Sequence, residues 1–175
     1  MEHRRLGKSG LKVSALGLGT MTFGRQTDEK TAFSIMDEAW DAGVRLLDCA
    51  DIYPLGGGVE MAGETERIVG KWLKAKPREQ IVVTSKCFAQ VGVGANDGGL
   101  SRQHILHAAE QSLRRLDTDH IDLYMAHSFS QDVEMEETLR AFEILIQTGK
   151  IRYVGVSNWD AWQIQKALGI QQLHH

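Results

Sequence analysis

The sequence has only two cysteines, Cys49 and Cys87, each inside an apolar run. That excludes a disulfide framework and predicts reduced thiols. It has no lysine and arginine run long enough for a polybasic tail. Arg4–Arg5 and Arg114–Arg115 are isolated doublets, and the formal net charge is −3. A nucleic-acid surface is therefore not expected. Neither an amino-terminal apolar h-region nor an uninterrupted apolar stretch of membrane-spanning length occurs, so export and membrane insertion lack support and the cytoplasm is the expected compartment. No internal linker, low-complexity segment or shift in composition divides the chain, which predicts a single domain over residues 1–175. The terminal pair His174 and His175 is assigned no function.

What is there is an alternation. The opening "RRLGKSGLKVS" places a Gly-Lys-Ser-Gly turn between two short runs and predicts a β-hairpin. A phosphate-loop reading fails because Glu2 stands five residues before Gly7, where a glycine is needed. Strand-like runs follow at "ALGLGTMTF", "VRLLDCADIY", "QIVVTSKC", "IDLYMAHS" and "IRYVGVSN", rich in apolar residues with little alternation, as for strands buried on both faces. Between them, apolar residues recur at helical spacing: Phe33, Met36 and Trp40; Ile68, Val69, Trp72 and Leu73; Ile105, Ala109, Leu113 and Leu116; Leu139, Phe142, Leu145 and Ile146. Ser101 and Asp160 with Gln163 read as helix N-caps, and Gly43 and Gly149 as residues just past helix ends. Five strand–helix units predict a parallel sheet with right-handed crossovers, either an open doubly wound sheet or part of an eight-fold barrel. No dinucleotide fingerprint supports the first. The glycines at 17 and 19 are followed by Thr22 at the third position, and those of "VGVGANDGG" by Asp97.

Polar residues gather at the ends of these runs. Asp48, Asp51 and Tyr53 follow the second, Lys86 ends the third, His127 the fourth, and Ser157 with Asn158 the fifth. On a parallel barrel the carboxyl ends of the strands carry the active site, so their joint placement points to one site. No G-x-S-x-G elbow is present, and the cysteines lack a thiolate-stabilising pattern. His104 and His107 have no second ligand pair to complete a zinc site and are expected on the surface. Asp, Tyr, Lys and His together suit proton transfer from a tyrosine. A tyrosine hydroxyl titrates ordinarily near about 10, and a lysine ammonium held by an aspartate favours its phenolate.

At these residues the sequence resembles the aldo-keto reductase superfamily. The hairpin "RRLGKSGLKVS", then "LGLGTMTFG", "LLDCADIY", "VTSKC", "IDLYMAH" and "VGVSN" follow the family's order at family-like spacing. The resemblance implies a (β/α)8 TIM-type barrel closed at its bottom by the hairpin, and an NADPH/NADP-dependent oxidoreductase that reduces aldehydes or ketones without a Rossmann domain. It assigns Tyr53 as proton donor, Lys86 and Asp48 as the pair tuning it, and His127 as the group orienting the carbonyl. Thr20, Asp48, Ser157 and Asn158 are the cofactor-binding positions it implies. A small-molecule carbonyl substrate is the implied partner, with neither nucleic acid nor membrane.

Three departures qualify that picture. Cys49 stands where the family more often has threonine. "PLGGGVEMAGETE" lengthens the loop after Tyr53, its glycines read as flexible spacing. Ser128 and Phe129 replace more usual choices after His127. A barrel of this type takes about 250 residues, so five units predict an incomplete barrel lacking its carboxy-terminal units, a truncated form with reduced or no activity alone. Exposed edges on the first and fifth strands predict self-association. An alternative is a non-catalytic, cofactor-sensing regulatory module, as some relatives are subunits of membrane assemblies. Another is a piece of a longer enzyme, whose function is then that of its parent.

Overall fold

The structure, a computed structural model, describes residues 1–174, so His175 of the terminal pair lies outside it. The chain opens with an antiparallel hairpin of β1 (His3–Arg5) and β2 (Lys12–Ser14). Five parallel strands then form one sheet in chain order: β3 (Gly17–Gly19), β4 (Leu46–Asp48), β5 (Val82–Cys87), β6 (Ile121–Ala126) and β7 (Ile151–Val156). Helices α1 (Glu29–Asp41), α2 (Glu64–Leu73), α3 (Arg102–Leu116), α4 (Met135–Gln147) and α5 (Ala161–His174) each follow one strand. These are five consecutive β/α units of the barrel type. Among the described residues the sheet does not close, and β3 and β7 are its edges.

The core lies between the sheet and the helices. Ile68, Val69, Trp72 and Leu73 of α2, Ile105, Ala109 and Leu116 of α3, and Phe142 and Leu145 of α4 are buried against Leu47, Val83 and Ile121 of the strands. Each large apolar side chain fully buried in this way contributes roughly 1.5–3 kcal/mol. Helices α2 and α3 approach so closely that a Cβ on Gly70 would lie 2.5 Å from the Arg115 carbonyl oxygen. A side chain there would push the two helices apart.

The helix ends follow local rules. Ser101 accepts from His104 N–H at the start of α3, and Asp28 does the same for Thr31 at the start of α1. At α5 the bond named runs the other way, with Asp160 N–H donating to Gln163 Oε1 at 2.6 Å, the return arm of a capping box. Gly43 and Gly149 follow α1 and α4 with φ of +88° and +73°, the left-handed geometry a glycine accepts without cost.

Two expectations need correction. The run "ALGLGTMTF" is a strand only over its three residues Gly17–Gly19. The Thr20 backbone N–H makes the last ladder bond, to the Asp48 carbonyl at 3.1 Å, its hydroxyl donates to the same oxygen at 2.8 Å, and the chain then turns, with Phe23 N–H donating back to the Thr20 carbonyl at 3.0 Å. His104, expected on the surface, is 1% exposed. It lies on the inner stripe of α3 with Ile105 and Ala108, and its Nδ1 is 3.1 Å from the Asn96 carbonyl of the glycine-rich loop after β5. His107 is exposed, as expected.

Candidate functional site

Sheet register brings the first two charged residues together. β4 pairs with β5 so that Asp48 lies opposite Thr84. Alternate residues of a strand share a face, so Lys86 stands on the same side as Thr84, one step nearer the carboxyl end. Thr84 Oγ1 donates to Asp48 Oδ1 at 2.6 Å, and Lys86 Nζ donates to Asp48 Oδ2 at 2.8 Å. Lys86 Nζ also donates to the Cys49 carbonyl at 2.7 Å, so two of its three hydrogens are committed. With Lys86 only 5% exposed, this pairing is what makes a buried ammonium tolerable.

Tyr53 lies over that ammonium. Its buried ring has Lys86 Nζ 5.1 Å from its centroid, within cation–π range. The His127 ring meets it edge-to-face at 5.7 Å. Burial first, and the Lys86 charge second, lower the His127 pKa below its ordinary 6.5. The imidazole is therefore neutral at physiological pH, with one ring N–H to offer. The strand ladder itself carries these residues to one end, since Asp51 N–H donates to Lys86 O, His127 N–H to Cys87 O, and Ser157 N–H to Ala126 O.

Ser157 and Asn158 follow β7 on the same face. Asn158 adopts φ +57°, a left-handed conformation that asparagine accepts more readily than most residues. Its Nδ2 donates to the His127 carbonyl at 2.8 Å and lies 3.1 Å from Ser157 Oγ, tying the ends of β6 and β7 together. The hydrogen-bonding capacity these two bonds leave to the pair is one hydroxyl hydrogen and one amide oxygen. Thr20 is fully buried, its hydroxyl spent on the Asp48 carbonyl. The structure thus places it beneath Asp48. Because that hydrogen is committed, the Cys49 thiol 3.0 Å away is the donor of their contact. Both thiols are buried; burial pushes Cys49 up to about 12, and Cys87 is raised for the same reason.

Thr84 and Glu66 escaped the reading of the sequence. Thr84 was legible as the same-face neighbour two residues before Lys86. Glu66 falls on the buried stripe of α2 with Val69 and Leu73, an acid where periodicity calls for an apolar residue. Its carboxylate accepts from Ser85 Oγ at 2.6 Å and from Arg115 Nε at 2.7 Å, anchoring β5 beside Lys86. The glycine-rich loop after β5 is no open anion cradle. Asp97 accepts from Gly94 N–H at 2.7 Å, and a Cβ on Gly92 would lie 2.3 Å from its carboxylate. In the loop after Tyr53, Gly56, Gly58 and Gly63 have positive φ, so these glycines serve backbone conformation as well as spacing.

Residues 15–174 match the profile of the Aldo/keto reductase family. The chain belongs to that family. A relative named "Uncharacterized oxidoreductase YrpG" from Bacillus subtilis (strain 168) is 45% identical over 174 residues, 95% of this chain and 52% of that protein. A "Probable voltage-gated potassium channel subunit beta" from Arabidopsis thaliana is 42% identical over 170 residues, 97% of this chain and 50% of that protein. One of the same name from Oryza sativa subsp. japonica is 40% identical over 171 residues, with the same coverage. This aldo/keto reductase family chain spans about half the length of the curated relatives it matches. Among the described residues, no helix is long and apolar enough to cross a membrane.

Proposed function

We propose that the chain carries the proton-donating and carbonyl-orienting centre of an NADP(H)-dependent oxidoreductase that reduces aldehydes or ketones to alcohols. The observation that carries this reading is the Asp48–Lys86 ion pair beneath Tyr53, with Nζ 5.1 Å from the ring centroid. A phenol beside a fixed ammonium is suited to give up its proton as negative charge develops on a neighbouring oxygen. Tyr53 donates that proton to the substrate oxygen. Lys86, held by Asp48 and the Cys49 carbonyl, supplies fixed positive charge. His127, neutral through burial, donates its ring N–H to the same carbonyl and orients it.

The donor set after β7 fits a carboxamide. Ser157 offers a donor and Asn158 Oδ1 an acceptor, the complement of a primary amide, as on a nicotinamide. Ser157 and Asn158 would hold a reduced nicotinamide there, which would supply the hydride, while Tyr53 supplies the proton that completes reduction of the carbonyl to an alcohol. Thr20 supports this arrangement from beneath by fixing the Asp48 backbone.

NADPH oxidation with a reactive aromatic aldehyde, measured for the chain and for Tyr53→Phe, tests the reading. Turnover that falls at least about 100-fold in the variant is the expected result, since a positioned general acid contributes roughly 10²–10⁴. Equal rates in both would refute the role of Tyr53. A second reading, a non-catalytic regulatory module, draws on the likeness to plant proteins named as potassium channel beta subunits. Tight binding to a protein partner with no turnover in either form would favour it.

A further inference from the structure

A cavity of about 300 Å³ lies between α2, α3 and the loop after β5, behind the strand end that carries Lys86. Asp51, Arg67, Asp97, His104, Gln111 and Arg115 are in its lining. Two of these are buried with their polar atoms unmatched. Asp51 and His104 are each 1% exposed, and neither Asp51 carboxylate oxygen nor His104 Nε2 has a hydrogen-bond partner among the described residues. Groups left this way cost about 1–3 kcal/mol each, so the site calls for something that satisfies them.

The chemistry of the lining narrows what that is. The Asn96 carbonyl can only accept, so His104 Nδ1 carries the hydrogen of their 3.1 Å contact. In the neutral ring, Nε2 is then a bare acceptor. Arg115 commits Nε to Glu66 and Nη2 to Ser112 Oγ, and Arg67 commits Nη1 to Glu64, so each guanidinium has donors to spare. Asp97 is turned into its own loop, onto Gly94 N–H. Among the described residues no three His, Cys, Asp or Glu side chains come together to hold a metal ion. A complementary ligand therefore needs negative oxygens for the two arginines and a hydrogen to donate to Asp51 or His104.

We propose that this cavity binds a small oxyanion bearing a hydroxyl donor, of the size of hydrogenphosphate or a glycerol phosphate. The volume suits that class, being on the order of ten waters at about 30 Å³ each. The anionic oxygens meet Arg67 and Arg115, and the hydroxyl donates to the inner wall. Because Asp51 N–H is bonded to Lys86 O at 3.1 Å, an occupant also braces the end of β5. None of this rests on the catalytic reading.

The test is a titration of the ¹⁵N-labelled 175-residue chain with sodium phosphate, sodium glycerol 2-phosphate and sodium sulfate, at matched ionic strength near neutral pH. Saturable shifts at the amides of Ala62, Gly92 and Ala108, which line the cavity, are expected with phosphate or the ester. Sulfate, which has no hydrogen to donate at that pH, is expected to bind several-fold more weakly. Arg67→Ala, at a half-exposed position, should weaken binding about tenfold, one charge-assisted hydrogen bond. Arg4→Ala in the hairpin removes the same charge and should change nothing. Tighter phosphate or tighter ester each supports the site and identifies its source. No saturable shift, sulfate binding equal to phosphate, or an Arg67→Ala chain that binds undiminished would overturn it, leaving a cavity filled by water.

Discussion

Arg115→Ala should destabilise the chain by about 3–5 kcal/mol, the cost of breaking a buried ion pair by removing one partner. Glu66 is fully buried, with Oε1 held by Ser85 Oγ at 2.6 Å and Oε2 by Arg115 Nε at 2.7 Å. Removing the guanidinium leaves a carboxylate in the interior with one neutral hydrogen bond. A lost charge-assisted bond alone accounts for about 1.5–3 kcal/mol, and the missing arginine stem adds packing loss against α2. For a chain of this size about 1 kcal/mol moves Tm by roughly 2–4 °C, so the expected fall is roughly 6–20 °C. Urea and thermal melts followed by far-UV circular dichroism measure it. Because Ser85 adjoins Lys86, the loosened network also frees the strand end that holds the candidate site. The double variant Glu66→Gln/Arg115→Met should recover much of the loss, since it removes the stranded charge and restores volume. A loss below about 1 kcal/mol in Arg115→Ala, or a double variant no better than the single, would refute the argument.

Other expectations follow from burial. Neither Cys49 nor Cys87 should react with a thiol reagent in the folded chain, and both should react once it is unfolded; fast native labelling would contradict their burial and raised pKa values. His104 and His127 are lowered by burial from 6.5, so below that pH the unfolded chain takes up protons that the folded chain refuses. Their contribution to stability is full above 6.5 and is lost as pH falls toward the folded values. Asp51 acts with the opposite sign: burial first, and the Glu66 charge next, raise its pKa well above 3.8, so its contribution is lost as pH rises from there. Asp51→Asn should therefore match the parent in acid and exceed it increasingly toward neutral pH; urea midpoints that stay parallel across the range would count against this. The unpaired edges of β3 and β7, with exposed Ile146, Trp162, Ile164 and Leu168 near the latter, should drive self-association. A compact monomer by light scattering at high concentration would rule that out.

Much of the fold was legible because its signals are local. Runs such as "QIVVTSKC" and "IDLYMAHS" show their burial in composition, helical stripes show it in spacing, and Gly149 marks a helix end by its own backbone freedom. The candidate site was legible for a related reason. In a parallel sheet, residues just past each strand share one face whatever the details of packing, so Asp48, Tyr53, Lys86, His127, Ser157 and Asn158 could be grouped before any distance was known. His104 shows where this stops. Its surroundings depend on a loop that folds back from residues 91–99, and neither its neighbours in sequence nor its helical position reveals that.

The sequence by itself determined the order of strands and helices, the chemistry placed at the strand ends, and the family. Only the tertiary structure decided which partners those groups keep: Thr84 and Lys86 on Asp48, Thr20 on the Asp48 carbonyl, Glu66 between Ser85 and Arg115, and none for the Asp51 carboxylate or for His104 Nε2. The physical reason is range. Periodicity and capping act over a few residues, whereas these contacts join positions 19 to 49 residues apart and exist only once register and helix packing have brought them within hydrogen-bond distance.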